Sequence, residues 1–525
     1  MTQTINNNQL GQLELHQRDV LYSQDPTELF HHLCKGKDDT LLLESSEIES
    51  KEDLKSLLLV DAAMRIECRG HKVMLRANSE NGEALLSRLK QNLNPEFITT
   101  QSSTELEVEF AEQDVNLDED SRIRQPSSFD MLRIVKKSFD CDKHDPMALF
   151  IGGLFAYDLV ANFEPLGDAA ENSQCPDYVF YVAETLIVID HQTQHAHLYG
   201  SLFDANASSK AKIEARLDQI QSEMNSVVAA PKAVQLDTCE ATPSVSDEDF
   251  CDIVRDMKEF VVKGDIFQVV PSRYFSLPCP SPLAAYKQLK KSNPSPYMFY
   301  MQDELFTLFG ASPESALKYE TETNQIEIYP IAGTRRRGKN LDGSINKDLD
   351  SRIELELRTD MKENAEHMML VDLARNDVAR ISAHGTRHVA DLLKVDRYSH
   401  VMHLVSRVVG QLRDDLDALH AYQACMNMGT LTGAPKIRAM QLIRDVEKQR
   451  RGSYGGAVGY MTGRGDLDTC IVIRSAYVED GVAKVQAGAG VVFDSDPQAE
   501  ADETRGKAQA VISAIQAAHT EVSNG

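Results

Sequence analysis

The chain has 525 residues, is 42% apolar, and carries 55 basic against 81 acidic side chains for a formal net charge of −26. That length exceeds one ordinary core and predicts two lobes, while the acidic balance argues against nucleic acid and anionic membranes as partners. No run of roughly 18 apolar residues predicts a membrane span, the polar start MTQTINNNQLGQLELHQ lacks the apolar stretch of a secretory leader, and nine cysteines without CxxC spacing read as reduced thiols of a cytoplasmic protein.

The first lobe, residues 1–228, alternates short apolar runs with polar turns. TLLLES (40–45), MRIECRG (64–70), HKVMLRA (71–77) and ELEVEF (105–110) have the period of antiparallel strands. AEQDVNLDEDS (111–121) reads as a loop, and the Gly pair in MALFIGGLFAYDLV (147–160) marks a place where backbone approaches closely. TLIVIDHQTQHAHLYGS (185–201) reads as a hairpin and 208–225 as a helix. Residues 229–245, rich in Pro, Ser and Thr and without period, read as a linker, although strands on either side of it can still join one sandwich.

The second lobe, 246–525, opens on a helix with Ser246 as N-cap, Asp249 at the third position and Gly264 as its stop. IFQVVPSRYFSL, LFTLFGAS, IEIYPIAG, CIVIRSAYV and AKVQAGAGVVF read as strands. Helices are expected over 351–380, 415–427, 435–447 and 497–518, the last capped by Asp496 with Pro497 in its first turn. Sheets with segregated helices and few βαβ alternations indicate an α+β protein.

Two pairs of glutamates stand out. Glu363 and Glu366, and Glu500 and Glu503, are each spaced three apart on an expected helix, so each pair shares a face. Four such carboxylates aimed at one cavity suit a hard cation such as Mg²⁺, which leaves positions for water and an anionic substrate; one pair alone is an ordinary solvated face. Arg474, with apolar alternation neighbours in CIVIRSAYV, needs an anion if it faces inward. Tyr454 lies among glycines that leave room for a ligand. The small residues of AGAGVV (487–492) let backbone N–H groups face a carboxylate. His403, on an apolar strand, is by pattern more often a satisfied core histidine than a catalyst. No GxxxxGK[ST] or GxGxxG is present, which disfavours ATP and NAD sites.

Taken together, LFGASPES, IYPIAGTRRRG, DLARND, KVDRYSHVMHLVSRVVG, MGTLTGAPKIRAM, RGSYGGAVGY, DTCIVIRS, VQAGAGVVFDSDPQAEADET and LLLES resemble anthranilate synthase component I of enterobacterial type, over about residues 20 to 518. The family is one of the chorismate-utilising enzymes, and the resemblance implies their fold: a sandwich of two mostly antiparallel sheets flanked by helices. Gln268 stands where isochorismate and salicylate synthases carry a water-activating lysine, which leaves ammonia as the nucleophile. Ala332, in PIAGT, stands where aminodeoxychorismate synthases carry a nucleophilic lysine.

The resemblance implies conversion of chorismate and ammonia to anthranilate and pyruvate. It assigns Mg²⁺ to Glu366 and Glu503 directly and to Glu363 and Glu500 through water, and the general acid to Glu314. It gives the ring to Gly333 and Thr334 and the enolpyruvyl carboxylate to Tyr454, Arg474 and Gly488, Ala489 and Gly490. His403 assists pyruvate elimination or orients the ring. L-tryptophan as feedback inhibitor is expected at Ser45, Pro296, Tyr297 and Met298. No cysteine has the flanks of a glutaminase nucleophile, so ammonia is expected from a separate glutamine amidotransferase subunit, in a heterotetramer.

Overall fold

The computed structural model describes residues 10–45, 54–141, 144–170, 174–204, 206–229, 232–340, 342–398 and 401–520. Among these residues every pairing between strands is antiparallel; all but two strands wrap into one closed sheet flanked by helices, and Gln268–Val269 with Gly433–Ala434 form a separate two-stranded sheet. The chain is α+β.

The two halves of the sequence are sewn together at two seams. Thr40–Glu44 lies between Lys55–Arg69 and Tyr297–Gln302, so that Leu42 faces both Leu58 and Tyr300. Phe150–Phe155 pairs with Ala457–Thr462, with Gly153 opposite Gly459. Glycine at 153 has a steric cause, because a Cβ there would stand 2.1 Å from the Val179 carbonyl oxygen. Behind this seam the Phe155 and Tyr422 rings stack at 4.2 Å. Residues 232–241 adopt no helix or strand, but Leu236 donates its N–H to the His519 carbonyl at 2.7 Å, tying the segment to the end of the last helix.

The helix of the second lobe runs Asp247–Lys263; Ser246 accepts from Asp249 N–H at 3.1 Å and Gly264 closes it at φ +82°. The last helix, Pro497–His519, is capped by Asp496 and buries Val511 and Ile515 with Phe275, Val485 and Ala487. That packing fixes which way Glu500 and Glu503 point.

IFQVVPSRYFSL and IEIYPIAG are each two strands, split before Pro271 and Pro330 respectively, and two more expected elements differ. The stretch 351–380 is two helices, Lys347–Thr359 and Met361–Ala379, broken at Asp360. The Asp360 carboxylate accepts from the N–H groups of Lys362 and Glu363 at 3.0 and 3.1 Å, the local capping that competes with helix continuation. CIVIRSAYV is also not continuous. Leu467–Ile471 ends, the chain bends with Arg474 at φ +50°, and Ser475–Glu479 begins. Left-handed backbone at a non-glycine residue is strained and is retained where the surroundings fix it.

Candidate active site

Glu314 sits in the tight turn between Thr307–Ser312 and Ser315–Glu320. Its backbone is pinned on both sides: its N–H donates to Ser312 Oγ at 3.3 Å and its carbonyl accepts from Ile471 N–H at 3.0 Å. The side chain is buried, and its Oε1 accepts from Thr430 Oγ1 at 3.0 Å. Burial raises its titration to about 8, against a smaller opposing pull from Thr430, Lys507 and Arg474. The carboxyl is therefore protonated at neutral pH.

His403 lies on Val401–Gln411, where a bulge at Gly333 sets it opposite Thr334. Its Nδ1 is 2.9 Å from Thr334 Oγ1, and Tyr398 meets the ring edge-on at 5.1 Å. Burial, with the nearby Arg474 charge, lowers the imidazole to about 4, so the ring is neutral. Gly333, at φ +79°, brings its backbone to the carboxylate helix; a Cβ would stand 3.2 Å from Glu363 Oε2.

Arg474 makes no ion pair or side-chain hydrogen bond among the described residues. Burial lowers its affinity for a proton, opposed by Tyr454, Glu503 and Glu314 around it. It is the unmet cation expected from the sequence, though it is presented by a bend and not by strand alternation. Tyr454 is buried beside it and is raised to about 12 by burial. Gly488 closes Val482–Gly488 and faces the Tyr454 hydroxyl, whose oxygen would be 3.1 Å from a Cβ at 488. The Ala489 N–H is already taken by the Pro271 carbonyl at 3.2 Å. Gly490 faces Gln268: a Cβ at 490 would stand 2.8 Å from Gln268 Nε2, and Gln268 Oε1 is buried without a partner. An orphaned buried oxygen wants a donor.

The two carboxylate helices face one another. Glu366 is raised by burial and, through charge, by Glu363 and Glu503; Glu500 is raised by burial and by Glu503. Basic groups partly balance them: Lys507 Nζ is 2.6 Å from Glu503, Arg335 donates to Glu363 at 2.7 Å, and Lys362 stands 3.8 Å from Glu366. Glu500 Oε2 is buried with no partner. Among the described residues no three His, Cys, Asp or Glu side chains are gathered into a ready-made metal cluster. The donor chemistry suits a hard cation that takes its remaining ligands from water and a substrate carboxylate.

Ser45, Pro296, Tyr297 and Met298 line one cavity of about 580 Å³, which Pro313 and Tyr398 also line. No helix among the described residues is long and apolar enough to cross a membrane.

Three residues of the site carried no signal strong enough to single them out. Thr430, inside MGTLTGAPKIRAM, is one hydroxyl among several. Lys507 is one turn beyond Glu503 and also donates to the Gly488 carbonyl at 3.0 Å; that spacing reads as a surface ion pair. Tyr398 is visible only through its contacts in the fold, the ring against His403 and the hydroxyl at the Pro313 carbonyl.

A family profile described as chorismate binding enzyme matches residues 84–513. Anthranilate synthase component 1 of Vibrio parahaemolyticus is 72% identical over 98% of this chain and 95% of its own length. The chain belongs to the anthranilate synthase component 1 family of chorismate binding enzymes. Its relative of that name in Escherichia coli is 59% identical, over 97% of this chain and 98% of its own length. The crystal structure of anthranilate synthase component I from Streptococcus pneumoniae superposes with a TM-score of 0.67 at 28% identity, covering 89% of this chain and 94% of that one. The chain is therefore an enzyme and not a binding module.

Proposed function

We propose that this chain converts chorismate and ammonia to anthranilate and pyruvate, in a Mg²⁺-dependent reaction inhibited by L-tryptophan. Relatives named anthranilate synthase component 1 across nearly the full length support the substrate and product. The observation that carries the reading is Glu314, a buried carboxyl held protonated to about pH 8 beside two cationic side chains.

Glu503 and Glu366 would hold Mg²⁺, with Glu363 and Glu500 supporting through water; the buried unpartnered oxygen of Glu500 fits that role. When bound, the ion supplies neutralisation of the ring carboxylate and withdraws electron density as the C4–O bond weakens. Arg474 and Tyr454, with the Gly490 N–H, bind the enolpyruvyl carboxylate and orient the ring. Gln268 Oε1 accepts an N–H of ammonia and holds it at C2. The amide has no basicity to deprotonate water, so ammonia, already a nucleophile, attacks. As its nitrogen bonds to C2 both ring double bonds shift by one position, from C1–C2 to C1–C6 and from C5–C6 to C4–C5, the C4–O bond breaks, and the Glu314 proton goes to the departing hydroxyl, leaving as water. The resulting aminodeoxyisochorismate loses the C2 hydrogen and its enolpyruvyl group as pyruvate, giving the aromatic ring. His403, neutral and braced by Thr334, faces that hydrogen.

Ammonia comes from a separate glutamine amidotransferase. Every cysteine is buried, and burial pushes Cys279 and Cys425 up to about 12, so no activated thiol supports glutamine hydrolysis here. L-tryptophan is assigned to the cavity at Ser45, Pro296, Tyr297 and Met298, where Phe299 and Met298 suit its indole.

Glu314→Gln tests the reading. Loss of anthranilate formation by 10²-fold or more with ammonium, in a variant of unchanged circular dichroism, is expected for a general acid. Retention of near-normal turnover would contradict it.

A further inference from the structure

The cavity assigned to tryptophan does not end at the residues that suggested it. It continues to Pro313 and Tyr398. Pro313 precedes Glu314 in the chain. Tyr398 touches both parts of the acid–base machinery from the cavity side. Its hydroxyl donates to the Pro313 carbonyl at 3.4 Å, and its ring meets His403 at 5.1 Å with the planes 78° apart. Its own backbone is pinned, since its N–H donates to Val401 O at 2.8 Å and Arg337 donates to its carbonyl at 2.6 Å. Ile331 and Val405, which pair in register on the two strands that carry Thr334 and His403, also line the cavity.

We infer that Tyr398 is the positioning residue that reads the occupant of this cavity to His403 and the Glu314 turn. The inference rests on the tryptophan-site reading. Packing supplies the coupling. A buried ring wedged between a cavity and two catalytic groups has few rotamers. A ligand filling the cavity fixes the ring on one side, and the edge-on contact with His403 and the bond to Pro313 move with it. Coupling of this kind is reciprocal, so chorismate and tryptophan weaken one another by the same factor through the same side chain. Tyr398 lines the cavity and also touches the His403 ring, so its removal is expected to separate tryptophan binding from tryptophan inhibition.

The experiment is titration calorimetry of L-tryptophan into the full chain with Mg²⁺, with and without saturating chorismate and with no ammonia, so that no turnover occurs. Wild type is expected to bind tryptophan about 10-fold more weakly in the presence of chorismate. Tyr398→Leu is expected to bind tryptophan within about 3-fold of wild type and to lose that dependence, to about 2-fold or less. A merely structural role would change both affinities and leave their ratio. Wild-type coupling in Tyr398→Leu overturns the inference. If Tyr398→Leu does not fold, Tyr398→Phe decides it: the bond to Pro313 is gone and the ring kept, so a coupling ratio lowered by about 3-fold supports the inference and an unchanged ratio overturns it. Ser45→Phe guards the underlying reading. If that variant binds tryptophan as wild type does, the site assignment fails, whatever Tyr398 shows.

Discussion

Thr430 donates its hydroxyl hydrogen to Glu314 Oε1 at 3.0 Å, and it is the one hydrogen bond shown to that carboxyl among the described residues. A hydroxyl in this position favours the ionised acid and orients the protonated one. Thr430→Val is therefore expected to raise the Glu314 titration further and shift the basic limb of the kcat profile to higher pH. Misorientation should also lower kcat, by about 10-fold. A pH–rate profile from pH 6 to 10 checks it; a basic limb that moves down, or does not move, contradicts the role given to Thr430.

Glu314 also links pH to stability. Its carboxyl has an ordinary value of 4.5 and titrates at about 8 in the folded chain. The folded value is the higher, so its contribution is fully present below pH 4.5 and is lost as pH rises through 8. Glu314→Gln removes that dependence. The variant is expected to gain about 2–4 kcal/mol over wild type at pH 9 and to show little difference at pH 5. Urea unfolding at the two pH values measures it, and an equal difference at both would show that burial does not hold the proton.

Glu503→Gln is expected to abolish turnover by 10²-fold or more while leaving the fold intact, because it removes a charge from the carboxylates that face Glu366. Near-normal activity at saturating Mg²⁺ would sink the assignment of the cation to these helices.

Gly490→Ala tests the placement of Gln268. The added Cβ would stand 2.8 Å from Gln268 Nε2, the end of a flexible side chain, so the amide must turn aside while the backbone holds. The KM for ammonium should rise about 10-fold, with that for chorismate changed less. Equal rises in both would place Gln268 against chorismate and not ammonia.

Much of this site was legible because its chemistry is local. The paired glutamates declare themselves by helical spacing, and Glu314, Gln268 and Ala332 by the motifs around them. Ser45 and Pro296–Met298 lie far apart in sequence and were joined by resemblance; the strand pairing of Thr40–Glu44 with Tyr297–Gln302 supplies the physical link. What stayed hidden depends on backbone departures from period and on contacts between distant segments. Alternation placed Arg474 inside a strand, whereas a left-handed bend presents it. Periodicity ran through Asp360, where side-chain capping divides one helix into two. Thr430, Lys507 and Tyr398 acquire meaning only from what lies opposite them.

The measurement that bears most directly on the account is turnover by the purified chain alone, with chorismate, Mg²⁺ and ammonium at pH 8, followed by anthranilate fluorescence and by pyruvate release. The account expects both products in equal amounts, no product when glutamine replaces ammonium, and loss of product on chelation. Isochorismate or aminodeoxychorismate as the end product, or ammonium turnover indifferent to chelation, would contradict it.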